Sequence, residues 1–351
     1  MVLLSFFFCF LRKAQANDAD LKAGPYGPEI KVGLKEYSRT YLKEHSFKIS
    51  ANKKFNVKDK DGKIISTVAA NTDFKIRYDG DKYFQIYKSD PKIKIYKQIT
   101  FDAADENNDN IIFDINLPDY SYDHYRGKIR LRYAEIEDED DKIWAINILP
   151  LEQYTWGMGE MAGTGPMEHS KVMATIFRTY GYWKLKYGTM WTHLGFKVNA
   201  TPGNQIYKGY EWEQDHPRIK QAAQYTKGRI VMYKKEIALT AYSSWNDGKT
   251  RRYEDGFFKE CSNGSCIMPC NKPTGTISKK RPYLSSIKDP HGNYNIYYNP
   301  DKSTCTLAKE GNHMVGLTAN GSLDLAKNHD WGYGKILKYY YTGVSIYQAY
   351  K

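Results

Sequence analysis

Residues 125–161 read YRGKIRLRYAEIEDEDDKIWAINIL followed by PLEQYTWGMGEM. Apolar and charged residues alternate through "KIRLRYA", an acidic run breaks the pattern, and an apolar run "IWAINIL" resumes it. That order predicts a strand, an acidic turn and a second strand. Pro150 suits the first turn of a helix, so a helix is expected over "PLEQYTWGMGEM". Near its end, Glu160 stands alone among Trp156, Gly157, Met158, Gly159 and Met161. A lone acid in apolar company is either a chemical group or a helix end facing water.

Upstream, "IKVGL" at 30–34 reads as a first strand. Residues 46–115 carry short alternating runs, "FKISAN", "KFNVKD", "FKIRYD", "KYFQIYK" and "NIIFDI", with turn signals "KDGK" and "YDGDK" between them. This predicts an antiparallel β region built of hairpins. The loop "DAADENNDN" at 102–110 is rich in acids but lacks the glycine and distal glutamate of an EF-hand, which leaves a solvated loop. Downstream, a longer helix is expected from Pro166 to Tyr187, with Val172, Ile176, Tyr180, Trp183 and Tyr187 on one buried face. Lys171 and Arg178 lie seven apart on another face, beside a ligand or in solvent. "IVMYKKEIALTAYSS" reads as a hairpin, and residues 259–280 as a loop holding three cysteines. "GSLDLAKN" and "YGKILKYYYTG" read as two closing helices, the second capped by Gly343. The class is α+β, mixed antiparallel β with several helices. The expected division is a signal segment at 1–16, a small β-rich region at 17–120 and a main region at 121–351.

The chain has 351 residues, enough for two modest domains or one large one. Hydrophobic residues at 41% and charged residues at 26% fit a packed globular core. The 31 tyrosines suit half-buried strand faces and also sugar-binding surfaces. Val2 to Leu11 has the length of a signal-peptide core, and Ala14-Gln15-Ala16 offers a cleavage site, although Arg12 and Lys13 follow the apolar run instead of preceding it. Export to the cell envelope, periplasm or medium is the expectation. The net charge of +12 attracts polyanions. With export, an anionic cell wall is favoured over nucleic acid, for which no basic run or zinc-finger spacing speaks. Cys261, Cys266, Cys270 and Cys305 form an even set, read as two disulfides with a zinc site as the alternative. No cofactor is expected.

From Tyr125 onward the order of motifs resembles the SpoIID family, stage II sporulation protein D and the related amidase enhancers. The motifs are Tyr125-Arg126-Gly127, "INILPLEQY", Glu160-Met161, "EHSKVMATIFRTYGY", "QIYKGY", "TKGRIVMYKKEIALTAY", "HMVG" at 313–316 and "YYTG". "IKVGL" fits the family's start as well, so the resemblance spans roughly 30–346, weakly over 46–115. Two segments depart from the pattern. The family's Ser-Ser-Gly-Gly-x-Thr is "SSWNDGKT" here, and its Ser-Gln-Tyr-Gly-Ala is "TANGS", with Ala319 where the family has Gln.

The resemblance implies a lytic transglycosylase of peptidoglycan in which Glu160 is the catalytic acid. It also implies peptidoglycan glycan strands as partner, with an N-acetylmuramoyl-L-alanine amidase as a second one. One carboxylate suffices for such a reaction if its pKa is raised by burial. Trp156, Met158 and Met161 are the expected apolar surroundings. For substrate binding the candidates are Lys171, Arg178, Gln205, Tyr207, Ser243, Ser244, Thr250 and His313, each with a structural alternative. Arg178 either holds a muramic carboxylate or pairs with an acid in the core. No Gly-x-Ser-x-Gly elbow speaks for a serine hydrolase.

Overall fold

The computed structural model describes residues 24–105, 110–115, 117, 121–136, 140–255, 281–298 and 301–351. The expected signal segment, the tips of two acidic loops, and Cys261, Cys266 and Cys270 lie outside the described residues. Cys305 lies in the short helix Thr304–Lys309.

The strand Lys142–Pro150 is central and buried at all but its end residues. It pairs antiparallel with Lys128–Ala134 on one side and Glu29–Ser38 on the other. Its side chains alternate between two cores, as the pleat requires. Ile143, Ala145 and Leu149 join the main core; Trp144, Ile146 and Ile148 pack with Leu194 and Phe196. Burial on both faces explains why "IWAINIL" shows no strict alternation. The one polar residue inside it, Asn147, is wholly buried and fully used. Its amide donates to the carbonyls of Arg126 at 2.7 Å and Lys128 at 3.0 Å, and its oxygen accepts from the Tyr207 hydroxyl at 2.9 Å.

Seven strands make this sheet, in the order Val198–Asn199, Glu29–Ser38, Lys142–Pro150, Lys128–Ala134, Gln98–Ala103, Phe55–Lys58, Ile64–Val68. It therefore takes strands from before and after residue 120. A second sheet has six strands, in the order His124–Arg126, Ile112–Asp114, Phe47–Ala51, Phe74–Gly80, Tyr83–Ile86, Lys94–Tyr96. The "YDGDK" turn joins two of them, with Gly80, Asp81 and Lys82 all at positive φ. Two small sheets complete the β structure. One holds Glu236–Ile237, Arg229–Tyr233 and Ser345–Gln348; the other pairs Tyr242–Ser243 in parallel with Leu317–Thr318. With the helices, this is an α+β fold. No helix among the described residues is long and apolar enough to cross a membrane.

The long helix runs Met167–Tyr187 with Pro166 as its N-cap. Its expected buried stripe is buried only at Val172 and Ile176. Tyr180 and Trp183 are half-buried and Tyr187 is exposed, because the stripe opens beyond Ile176. Trp183 and Tyr187 line a pocket of about 480 Å³ with Tyr233, Arg281 and Tyr283.

Arg178 takes the core-pairing alternative. It is fully buried, as is Glu152, and the two form a bidentate pair with N–O distances of 2.7 and 2.8 Å. The other guanidinium hydrogens go to the carbonyl of Ala223 at 2.8 Å, and to the Thr226 hydroxyl and the carbonyl of Arg229 at 3.3 Å each. Glu152 Oε1 also accepts from the Gly228 N–H at 2.8 Å and the Tyr350 hydroxyl at 2.9 Å. The charge is thus spent on holding segments together, with no edge left for a ligand. Removing one partner of a buried pair strands the other. Arg178→Met is expected to cost about 3–5 kcal/mol in guanidinium unfolding. A loss under about 1 kcal/mol would rank the pair with ordinary surface ion pairs.

Candidate active site

Glu160 is positioned by a short zipper between two motifs. The helix expected over 150–161 stops at Trp156. From there Gly157, Met158 and Gly159 run antiparallel to Ile206, Tyr207 and Lys208. The Lys208 N–H donates to the Gly157 carbonyl at 2.9 Å, and the Gly159 N–H to the Ile206 carbonyl at 2.8 Å. Met158 and Tyr207 form the bridge between them. Close approach explains both glycines. A Cβ on Gly157 would sit 2.7 Å from the Gly209 carbonyl oxygen, and one on Gly159 would sit 2.8 Å from the Lys208 side chain. Backbone pairing here outcompetes a further helical turn.

The zipper delivers Glu160 Oε1 to the Ile206 N–H, which donates to it at 2.6 Å. The residue is half-buried. Desolvation pushes its carboxyl above the ordinary range, while hydrogen bonds from the Ile206 N–H and the Tyr242 hydroxyl pull the other way without reversing the shift. The apolar wall expected from Trp156, Met158 and Met161 is only partly in place. Met158 is fully buried against Tyr207, but Trp156 packs with Ala174, Ala222 and Ala223 in a separate cluster. The nearby hydroxyls of Tyr154, Tyr180 and Tyr242 instead carry the imprint of Glu160. Burial, first, and the charge of Glu160, second or third, raise the pKa of each.

A buried relay stands behind the carboxyl. The Tyr154 hydroxyl donates to Gln205 Oε1 at 2.9 Å, Gln205 Nε2 donates to the Tyr242 hydroxyl at 3.4 Å, and that hydroxyl hydrogen-bonds to Glu160. Gln205 is wholly buried, so it acts behind the site and does not line a surface groove. His313 supports the same relay. Its ring is hydrogen-bonded to the Tyr242 main chain, and its Nδ1 accepts from the Val315 N–H at 3.0 Å. Desolvation drops its pKa to about 4, so the imidazole is neutral at pH 7.

The other candidates lie elsewhere. Tyr207 is buried, its hydroxyl committed to Asn147. Lys171 pairs with Glu168 at 2.6 Å within the long helix and lies over the Tyr225 ring. Thr250 is wholly buried, donating to the Ser285 carbonyl and accepting from the Ile287 N–H, both at 3.0 Å. Ser243 is nearly buried and donates to the Trp245 carbonyl at 3.4 Å. Ser244 is exposed, one step beyond the Tyr242 strand pair. Sequence reasoning missed Tyr242 and Tyr154, each one tyrosine among 31, and the Ile206 N–H, which has no signature in sequence.

Comparison with known proteins bears on this geometry. A family profile named SpoIID, described as stage II sporulation protein, matches residues 139–233, which include Glu160, Gln205 and Ile206. An uncharacterized protein of Brachyspira hyodysenteriae (strain ATCC 49526 / WA1) is 30% identical over 262 residues, 59% of this chain and 69% of that protein. The amidase enhancer of Bacillus subtilis (strain 168) is 31% identical over 91 residues, 26% of this chain and 11% of that protein.

A carboxyl with a raised folded-state pKa favours its protonated form, so its ionised form costs stability once the pH exceeds that value. Glu160→Gln imitates the protonated acid. It is expected to raise the melting temperature at pH 8, with the gain fading towards pH 4, where the wild-type carboxyl is itself protonated. Calorimetry across this range checks the sign, and an equal or lower melting temperature at pH 8 would contradict it.

Proposed function

Because the chain belongs to the SpoIID family, we propose that it acts at the cell wall as an exported lytic transglycosylase of peptidoglycan, with Glu160 as its one acid and base. The observation that carries this reading is the Glu160 carboxyl, its pKa raised by desolvation and its Oε1 fixed on the Ile206 N–H. Perturbed carboxyls of this kind concentrate at catalytic sites.

In this mechanism protonated Glu160 donates to the glycosidic oxygen between N-acetylmuramic acid and N-acetylglucosamine. The C1–O bond breaks, and the carboxylate left behind takes the proton from the C6 hydroxyl of the same muramic residue. That oxygen attacks C1 and closes a 1,6-anhydro ring. Most glycosidases need a second carboxylate to activate water or attack carbon; an internal hydroxyl nucleophile removes the need. The two donors on Glu160 fit the double role. They stabilise the carboxylate that forms after the first proton transfer, whereas desolvation keeps the acid protonated before it. Tyr154, Gln205 and His313 act by holding Tyr242. Without Arg12 and Lys13 of the segment 1–16 the net charge falls by two, from +12 to +10, which suits an anionic wall. The cleaved segment 1–16 and two disulfides among Cys261, Cys266, Cys270 and Cys305 belong to the same proposal.

The similarity to a protein named amidase enhancer favours a second reading, a wall-binding protein that stimulates an amidase without cutting glycan. Digestion of purified glycan strands stripped of stem peptides, followed by mass spectrometry, separates the two. Anhydro ends support the transglycosylase, reducing ends indicate a hydrolase, and intact strands indicate the enhancer. Glu160→Gln is expected to lower release of anhydro products at least about a hundredfold, and wild-type behaviour of this variant would leave the enhancer reading. The rate is expected to fall as the pH rises through the raised Glu160 pKa. Tyr242→Phe removes a bond that favours the charged form, so it is expected to move that alkaline limb to higher pH while slowing the reaction. An unmoved limb in the pH–rate profile would detach Tyr242 from the acid.

A further inference from the structure

We propose that His291, Asp324 and His329 form a zinc site that fastens residues 290–298 to the helix Ala319–Asn328. One ligand atom from each residue lies within 4.8 Å of the other two. Asp324 Oδ2 is 2.7 Å from His291 Nδ1 and 3.4 Å from His329 Nε2, and the two imidazole rings meet edge-on with centroids 4.7 Å apart. Tetrahedral zinc with bonds of about 2.0–2.1 Å needs ligand atoms about 3.3 Å apart. The observed spacings straddle that value, so side-chain adjustment alone admits the ion. Two imidazoles and one carboxylate are a borderline-soft donor set, which selects zinc over magnesium or calcium.

The surroundings are those of a supported ligand set. The second oxygen of Asp324 accepts from Asn328 Nδ2 at 2.7 Å, and the Tyr297 hydroxyl hydrogen-bonds to the same carboxylate. Such outer contacts orient a metal-binding carboxylate. His291 sits in the turn Pro290–Gly292, which is anchored by wholly buried Asp289. Asp289 accepts from Asn246 Nδ2 at 2.6 Å, the Thr318 hydroxyl at 2.7 Å and the Gly292 N–H at 3.2 Å. Asp324 and His329 come from the last turns of a single helix and its cap. Exposure rises from 11% at the Asp324 side chain to 22% at His291 and 46% at His329, so an ion reaches the site from solvent and keeps a water on its open side.

Zinc takes up neutral imidazoles and an ionised carboxylate, so it replaces the hydrogen bond between His291 and Asp324 with two bonds to the ion. The site has a mechanical consequence. Tyr297 touches Asp324 and also packs 5.9 Å from Trp245, which is ringed by Tyr294 and Tyr298 as well. Zinc therefore stiffens an aromatic cluster three residues from Tyr242.

The test is zinc titration of the purified full chain by calorimetry at pH 7.5, with metal content measured after dialysis. Wild type is expected to hold one equivalent that His329→Ala and Asp324→Asn lose, with affinity down about a hundredfold or more, while His124→Ala keeps it. His329 is exposed, so its variant is expected to melt like wild type in chelator and to lack the zinc-induced rise in melting temperature. Blocking thiols with iodoacetamide separates the cysteines: zinc retained supports the site. The proposal is overturned if His329→Ala binds zinc as wild type does, if wild type binds none, or if thiol blocking alone abolishes binding.

Discussion

The buried pair of Glu152 and Arg178 is the constraint on which the rest of the structure depends. It joins the short helix before the Glu160 loop, the long helix, the turn at 223–229 and the C-terminal Tyr350. A buried ion pair contributes little net stability over a well-packed apolar replacement, because desolvating two charges offsets their attraction. Its effect is on geometry. Five partner atoms outside the pair are satisfied in this arrangement, so slippage of the short helix against the long one leaves a charge unmatched in the core. The helix end at Trp156, and with it the start of the Glu160 loop, is fixed by that arrangement.

From that point the position of Glu160 is a matter of backbone. Two glycines let 157–159 approach 206–208 within main-chain hydrogen-bond distance, and the last bond of this series is made by the Glu160 side chain itself. Two opposing effects meet at this carboxyl, with desolvation raising its pKa and the hydrogen bonds from Ile206 and Tyr242 lowering it by less. Desolvation alone would hold it protonated against release of the proton, and strong donors alone would keep it ionised. The neutral His313 contributes no competing charge, whereas a cationic imidazole beside Tyr242 would lower the carboxyl's pKa and favour its ionised form.

Local periodicity made much of this legible. The strands on either side of the acidic turn, the long helix from Pro166 and the closing helices are set by residues three to seven apart, and sequence shows those directly. Glu160 was legible through ordered motifs, although its surroundings were not. Arg178 and Glu152 are 26 residues apart, Gln205 and Tyr154 are 51 apart, and nothing in either neighbourhood marks its partner. Helix length failed for a related reason. "TWGMGEM" is apolar enough to continue a helix, but Ile206 and Lys208, some fifty residues on, offer the backbone a better partner. The sheet that joins Lys128–Ala134 to Gln98–Ala103 likewise spans a point where the sequence pattern alone suggests a break.

The two segments that depart from the family's pattern turn out to be neighbours. In "TANGS", both the backbone N–H and the side-chain amide of Asn320 donate to the carbonyl of Ser244 in "SSWNDGKT", at 3.2 and 3.0 Å. The parallel pairing of Tyr242–Ser243 with Leu317–Thr318 holds the two loops together at their roots. A change in one loop therefore bears on the surface against which the other rests. Neither loop supplies the groups that set the Glu160 carboxyl, apart from Tyr242, whose place is fixed by Gln205 and His313 from beneath. Both loops are themselves largely buried, with Asn246, Thr250, Thr318 and Ser322 wholly so, and only Ser244 and Lys249 are exposed. Each atom of the relay is committed to the next.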